Sequence, residues 1–155
     1  MSCAAEEGSD DQGRAMIEFI FLGVLTLVPL LYLVIAAFDL ERSVFAVTQA
    51  AREAGRAYAT ADDPLRAEAR ASYSAGLALR DQGLSATGMS LRYVAVAAGC
   101  STGGGGAETL APGADFAVCV TRTVQLPGIP GYFAGRSNTV TGRYVVHVDD
   151  FRAGR

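Results

Sequence analysis

The sequence predicts an α+β protein: a long N-terminal helix of membrane-spanning character that continues beyond the membrane, a second helix, and a small three-stranded antiparallel sheet packed on the helices. Three observations lead there. Residues 19–38 form an uncharged run of 20 residues, residues 40–58 carry an apolar stripe at helical spacing, and from Gly88 onward apolar residues recur with a period of two.

Residues 1–13, MSCAAEEGSDDQG, are small, polar and acidic, with Glu6, Glu7, Asp10 and Asp11 and no basic residue. A segment of this kind buries too little apolar surface to offset its ordering entropy, so it reads as a disordered leader, with helix expected from near Arg14. The net charge is -3, and without the leader 13 basic residues stand against 12 acidic ones. That balance, with no clustered basic face, gives no electrostatic footprint for nucleic acid.

At a rise of ~1.5 Å per residue the uncharged run reaches ~30 Å, the hydrocarbon thickness of a bilayer. Pro29 lies inside it and removes one backbone donor, which predicts a kink or a loosened turn. A secretory signal peptide fits poorly, although Val34-Ile35-Ala36 offers small residues near its end. Such leaders have a basic start and an apolar core of roughly 7–15 residues. A plain single-pass anchor accounts for the run and leaves Glu18, at its start, unexplained. A carboxylate at the centre of a membrane helix costs roughly 2.5–3.5 kcal/mol, less near the interface, and such a group calls for a cationic partner.

Beyond the run, Leu40, Val44, Val47, Ala51, Ala54 and Tyr58 recur at near-heptad spacing, with Arg42, Gln49, Glu53 and Arg56 off the stripe. The stripe packs either on the chain's own globular part or on an identical or related helix. Ala-Asp-Asp-Pro at 61–64 stops one helix and starts another, with Asp63 as N-cap and Pro64 at the first helical position. The second helix is expected to run about 19 residues to Gln82, with Gly83 as its C-terminal cap.

The strand patterns follow. Leu91, Tyr93 and Ala95 alternate with Arg92, Val94 and Val96; Phe116, Val118, Val120, Val124 and Leu126 share one parity, as do Val140, Tyr144, Val146 and Val148. Residues 101–115 and 126–138 read as the connections. Cys100, at the end of the first strand, and Cys119, within the second, lie on the far side of the apolar run from Cys3. An even pair there fits a disulfide in an oxidising compartment, the alternative being two free thiols.

Other chemical motifs are weak. The glycine run at 103–106 lacks the Lys-Ser/Thr of a phosphate-binding loop and reads as a linker. His147, the one histidine, reads as a solvated strand residue, and Asp149 and Asp150, being adjacent, point to opposite faces of a strand. Two cysteines and one histidine do not complete a zinc site. No nucleophile, base and oxyanion set is visible, no metal or other cofactor is implied, and the expectation is a protein without catalysis of its own. The apolar stretch 129–133 either packs on its own domain or docks on a partner.

Gly13 followed by Arg14-Ala15-Met16-Ile17-Glu18-Phe19 and then the apolar run resembles the class III leader of type IV pilin-like proteins. The resemblance is closest to TadE-like minor pilins, or pseudopilins, of the tight-adherence (Flp) pilus systems, and covers about residues 12–60. It implies cleavage after Gly13 by a prepilin peptidase, with Arg14 as the new N-terminus. It also implies that Glu18 pairs with the freed N-terminus of an adjacent subunit. Two features differ from the pilin pattern: the leader is acidic, and Arg14 stands where an apolar residue is common.

The expected organisation is therefore a cytoplasmic leader at 1–13, a transmembrane helix at 14–38 and an extracytoplasmic pilin-like domain at 39–155. The expected partners are the peptidase, other pilins, pilus assembly platform proteins and membrane lipid, with a role in pilus assembly, priming or adhesion. The rival from another class is a single-pass envelope protein whose external domain binds or senses.

Overall fold

The computed structural model describes residues 8–101, 110–124 and 138–151, with side chains from residue 13 onward. Cys3, the glycine run at 103–106, Leu126 and the apolar stretch 129–133 lie outside the described residues. The chain divides into two units between Phe38 and Asp39.

The first helix, α1 (Gly8–Ala59, 52 residues), runs through that division and through Pro29. It begins at Gly8, six residues before the expected start near Arg14. The second, α2 (Pro64–Asp81), is followed by β1 (Met89–Val94), β2 (Asp115–Thr123) and β3 (Thr139–His147). The expected α+β architecture is present. The strands form one antiparallel sheet in the order β1-β2-β3, a meander in which strands consecutive in the chain are neighbours in space.

In the second unit α1 presents Ser43, Ala46, Val47, Ala50, Ala51, Ala54 and Tyr58 to the core, all fully or almost fully buried. The stripe thus packs on the chain's own domain from Val47 onward. Leu40 and Val44, its first two expected members, are about half exposed, at 46% and 45%. The inward direction at that level belongs to Ser43, one residue round the helix from Val44. Its hydroxyl donates to the Asp39 carbonyl at 2.8 Å, so a buried polar group is satisfied within its own turn.

The sheet offers Tyr93, Phe116, Val118, Val120, Val140 and Val146 to this helix face, and Val124 and Val148 extend the core just past the strand ends. Helix α1 carries small residues and the sheet large ones, so the layers approach closely. At Gly142 a Cβ would run into the Val47 carbonyl and the Thr48 nitrogen of the α1 backbone, and at Gly55 one would meet the side chains of Val146 and Tyr144. Tyr58 fills the space beyond, its ring 4.4 Å from Tyr93 and 5.2 Å from Phe116 between centroids. Burial pushes the Tyr93 hydroxyl above its usual range, and that oxygen has no partner among the described residues. Arg52 lies over the rim ring of Tyr144, 5.8 Å from its centroid.

Helix α2 adds a third face. Ala67, Ala71, Ala75, Ala78 and Leu79 are buried at spacings of three and four. Asp63 caps its start by accepting from the Arg66 amide at 2.9 Å, with Pro64 next, as the sequence predicts. The helix ends at Asp81, and the reversal is a full Schellman motif. Gly83 at φ +67° donates to Arg80 O at 2.8 Å, and Leu84 donates to Leu79 O at 2.9 Å. Arg42 donates to the Gln82 carbonyl, placing a cation at the negative end of the α2 dipole.

Two strand expectations shift. Strand β1 stops at Val94, and Ala95 and Val96 are exposed in a turn closed by Ala98 N to Ala95 O at 2.8 Å. Cys100 therefore follows a turn and does not sit on the strand. Asp149 and Asp150 likewise lie beyond the end of β3, so strand alternation does not govern their directions.

The close approach at Gly142 gives a direct test. Gly142→Ala puts a methyl group against main-chain atoms that have no rotamer to change, and is expected to cost about 1–3 kcal/mol. The thermal midpoint of the full chain in detergent micelles, followed by circular dichroism, should fall; an unchanged midpoint would mean that α1 can lift from the sheet without loss.

Candidate functional site

Gly13, Arg14 and Glu18 all lie on α1. The Gly13–Arg14 bond is inside the helix, whereas a peptidase needs extended backbone, so the first turns must open before any cut. Glycine assists, since in a helix interior it costs about 1 kcal/mol relative to alanine. A Cβ at Gly13 would meet nothing within 4 Å.

Arg14 and Glu18 are four residues apart and share a helix face, but both are exposed and they form no ion pair. A base preceding an acid at this spacing is the weaker of the two orientations. Among the described residues the exposed Glu18 carboxylate makes no hydrogen bond or ion pair.

From Phe19 to Phe38 the helix exposes apolar side chains on every side, Phe19 at 78% and Leu33 at 64% among them. Thr26 returns its hydroxyl to Leu22 O at 2.9 Å, so the run's one hydroxyl of the Ser/Thr type is satisfied without water. Pro29 has no amide hydrogen for the carbonyl one turn earlier. Among the described residues this is the one helix long and apolar enough to cross a membrane.

The cysteines expected to pair do so. Cys100 and Cys119 form a disulfide with Cα atoms 5.7 Å apart, although Cys100 stands beyond β1. Val94, Ala117 and Cys119 make a small buried cluster on the sheet face away from the helices, with Ala98 and Cys100 against it. With a sequence separation of 19, closing this loop removes unfolded-state entropy amounting to about 3 kcal/mol.

A cluster at the sheet end is not visible in the sequence pattern. His147 Nδ1 lies 2.8 Å from Asp115 Oδ1 and its Nε2 lies 3.7 Å from Asp150 Oδ2. Asp115 and His147 are cross-strand partners in the β2–β3 register, a pairing that strand parity alone does not reveal. The two carboxylates engage different ring nitrogens and so do not converge on one point. Among the described residues no group of three or more ligating side chains could hold a metal ion. Among the described residues the second unit also carries two surface clefts. One, of about 480 Å³, is lined by Asp39, Ser43, Leu84, Ser85, Thr87 and Arg122 among others; the second, of about 390 Å³, lies along α1 and α2 near Gln49, Glu53, Ser74 and Leu77.

Comparison with known protein families, characterised proteins and solved structures finds no match to the chain.

The hydrogen bond to Asp115 holds the His147 imidazolium, raising its pKa above the ordinary 6.5, with the charges of Asp115 and Asp150 adding to it. Because the folded-state value is the higher, the contribution to stability is complete below about pH 6.5 and is lost as pH rises through the folded value. An NMR titration of the His147 ring should give a midpoint above the ordinary value, and Asp115→Asn should lower it. An identical midpoint in the variant would remove the assigned cause.

Proposed function

We propose that the chain is a TadE-like pseudopilin: a membrane-anchored subunit that is processed after Gly13 and acts by assembling with other pilins. The observation that carries the reading is Glu18 at the head of the apolar run, four residues after Arg14 and without a partner among the described residues. Cleavage between Gly13 and Arg14 would leave an ammonium group at the membrane edge of each mature subunit. The Glu18 carboxylate of a neighbour would then gain the cation that its desolvation requires. Residues 19–38 would hold the subunit in the bilayer until it joins a pilus or its base.

The disulfide supports an outside position for the C-terminal domain, since such bonds persist in oxidising compartments. The leader would then remain on the cytoplasmic side with the prepilin peptidase. The partners are that peptidase, other pilins and the assembly platform. The rival reading, a single-pass protein with an external binding domain, needs neither a cut nor a partner for Glu18.

The mass of the chain recovered from its native membrane separates the two. The proposed protein begins at Arg14; a chain that keeps residues 1–13 while a prepilin peptidase is active defeats the proposal. Glu18→Ala should insert and be cleaved normally but fail to enter pili, as scored by comparing membrane and sheared-pilus fractions. Wild-type incorporation of that variant would take the pairing role away from Glu18.

A further inference from the structure

Asp39 is the residue immediately after the uncharged run, and it lines the larger of the two clefts. The cleft lies wholly within the second unit. Its walls carry one acid, Asp39, and one base, Arg122, that do not pair with each other. Asp39 is half-buried, and its carboxylate has no hydrogen bond or ion pair among the described residues. Arg122 is also half-buried, and its Nε donates to the Ser85 carbonyl at 3.1 Å. That bond fixes the guanidinium plane and leaves the two terminal nitrogens as a fork for an anion.

The hydroxyls between them are ordered in a consistent direction. Ser85 Oγ accepts from the Thr87 amide at 3.1 Å and is 2.9 Å from Thr87 Oγ1. With Ser85 donating in that pair, the Thr87 hydroxyl keeps its own proton for an acceptor in the cleft. A fixed guanidinium fork and a hydroxyl donor suit a phosphate, and an unpaired carboxylate across the same space suits an ammonium group.

We infer that this cleft is a binding site for a zwitterionic phospholipid headgroup, a phosphodiester carrying a primary ammonium as in an ethanolamine lipid. The phosphate sits on Arg122 and Thr87 and the ammonium on Asp39. The inference rests on the reading of residues 19–38 as a bilayer span, because that reading sets Asp39, the next residue, at the depth of the headgroups. A lipid is favoured over a free ion for that reason and because its ammonium group adds a charge contact with Asp39 that an isolated anion lacks.

The test uses the full chain in dodecyl maltoside micelles, which contain no phosphate. Short-chain dihexanoyl phosphatidylethanolamine, dihexanoyl phosphatidylglycerol and inorganic phosphate are titrated separately while the amide signals of Thr87 and Gly88 and the Arg122 Nε–H signal are followed. Saturable shifts with the ethanolamine lipid are expected, at lower concentration than with the glycerol lipid. Arg122→Gln should weaken binding of the ethanolamine lipid by about tenfold or more. Asp39→Asn should abolish the preference for ethanolamine over glycerol.

Thr87→Val, at an exposed position, should weaken binding by about 2–10-fold and serves if Arg122→Gln loses the dispersed spectrum of the folded domain. The inference is overturned if no lipid gives saturable shifts, if a folded Arg122→Gln or Thr87→Val variant binds as the parent does, or if inorganic phosphate matches the ethanolamine lipid. The span reading fails by a different result, release of the full chain from native membranes by alkaline carbonate. The micelle titration does not depend on that outcome.

Discussion

The second unit depends on how closely one helix can lie on the sheet. The α1 backbone around Val47 rests on β3 at Gly142, where a side chain as small as methyl would collide with main-chain atoms. Everything facing that contact is graded to suit it. The helix side offers Ala46, Ala50, Ala51 and Ala54, and the bulk is supplied by Phe116, Val118 and Val120 from the central strand. Interiors pack at crystal-like density, so small residues on one layer require large ones on the other. Tyr58, at the far end of the helix face, is admitted where the layers open, and there it meets Tyr93 and Phe116.

The second helix is held by a different means. Its buried side is nearly all alanine, which contributes little area per residue, and much of its definition comes from its ends. Asp63 and Pro64 set where it starts. The Gly83 reversal, the Leu79–Leu84 bond and the Arg42 guanidinium on Gln82 set where it stops. Arg42 lies on α1, so the cap is also a tie between the two helices. It accounts for a charged residue lying beside an otherwise apolar stripe.

Much of this is legible in the sequence because the signals are local. The N-cap at Asp63, the stop at Gly83 and the parity of Phe116, Val118 and Val120 depend on neighbours a few residues away. Features that depend on the partner surface are not legible in that way. Whether Ser43 or Val44 faces inward is decided by where the sheet meets the helix, and Val44 has the more apolar side chain while Ser43 has the inward direction. The clasp of His147 by Asp115 needs the β2–β3 register, and the cleft at Asp39 joins residues from three separate stretches of chain. The alanine face of α2 is hidden because alanine occupies an exposed position of the same helix as well, Ala69, which neither size nor polarity marks off from the buried ones. At the N-terminal end the residue types alone single out Gly13, Arg14 and Glu18. The helical state of the Gly13–Arg14 bond is not readable there, since an acidic polar leader has no apolar period.

The disulfide has a consequence for how the molecule can be altered. It joins the central strand, through Cys119, to the chain just beyond an edge strand, through Cys100. The 18 residues between them are thereby closed into a covalent ring, and a protease cut anywhere in that ring leaves one molecule with an extra pair of ends. The β1–β2 register is set by the ladder itself, from Met89 opposite Arg122 to Val94 opposite Ala117. The ring includes Phe116 and Val118 of the central strand, and Leu110 and Ala114 pack against the core as well, so the disulfide binds the connection to the packed interior at its C-terminal end.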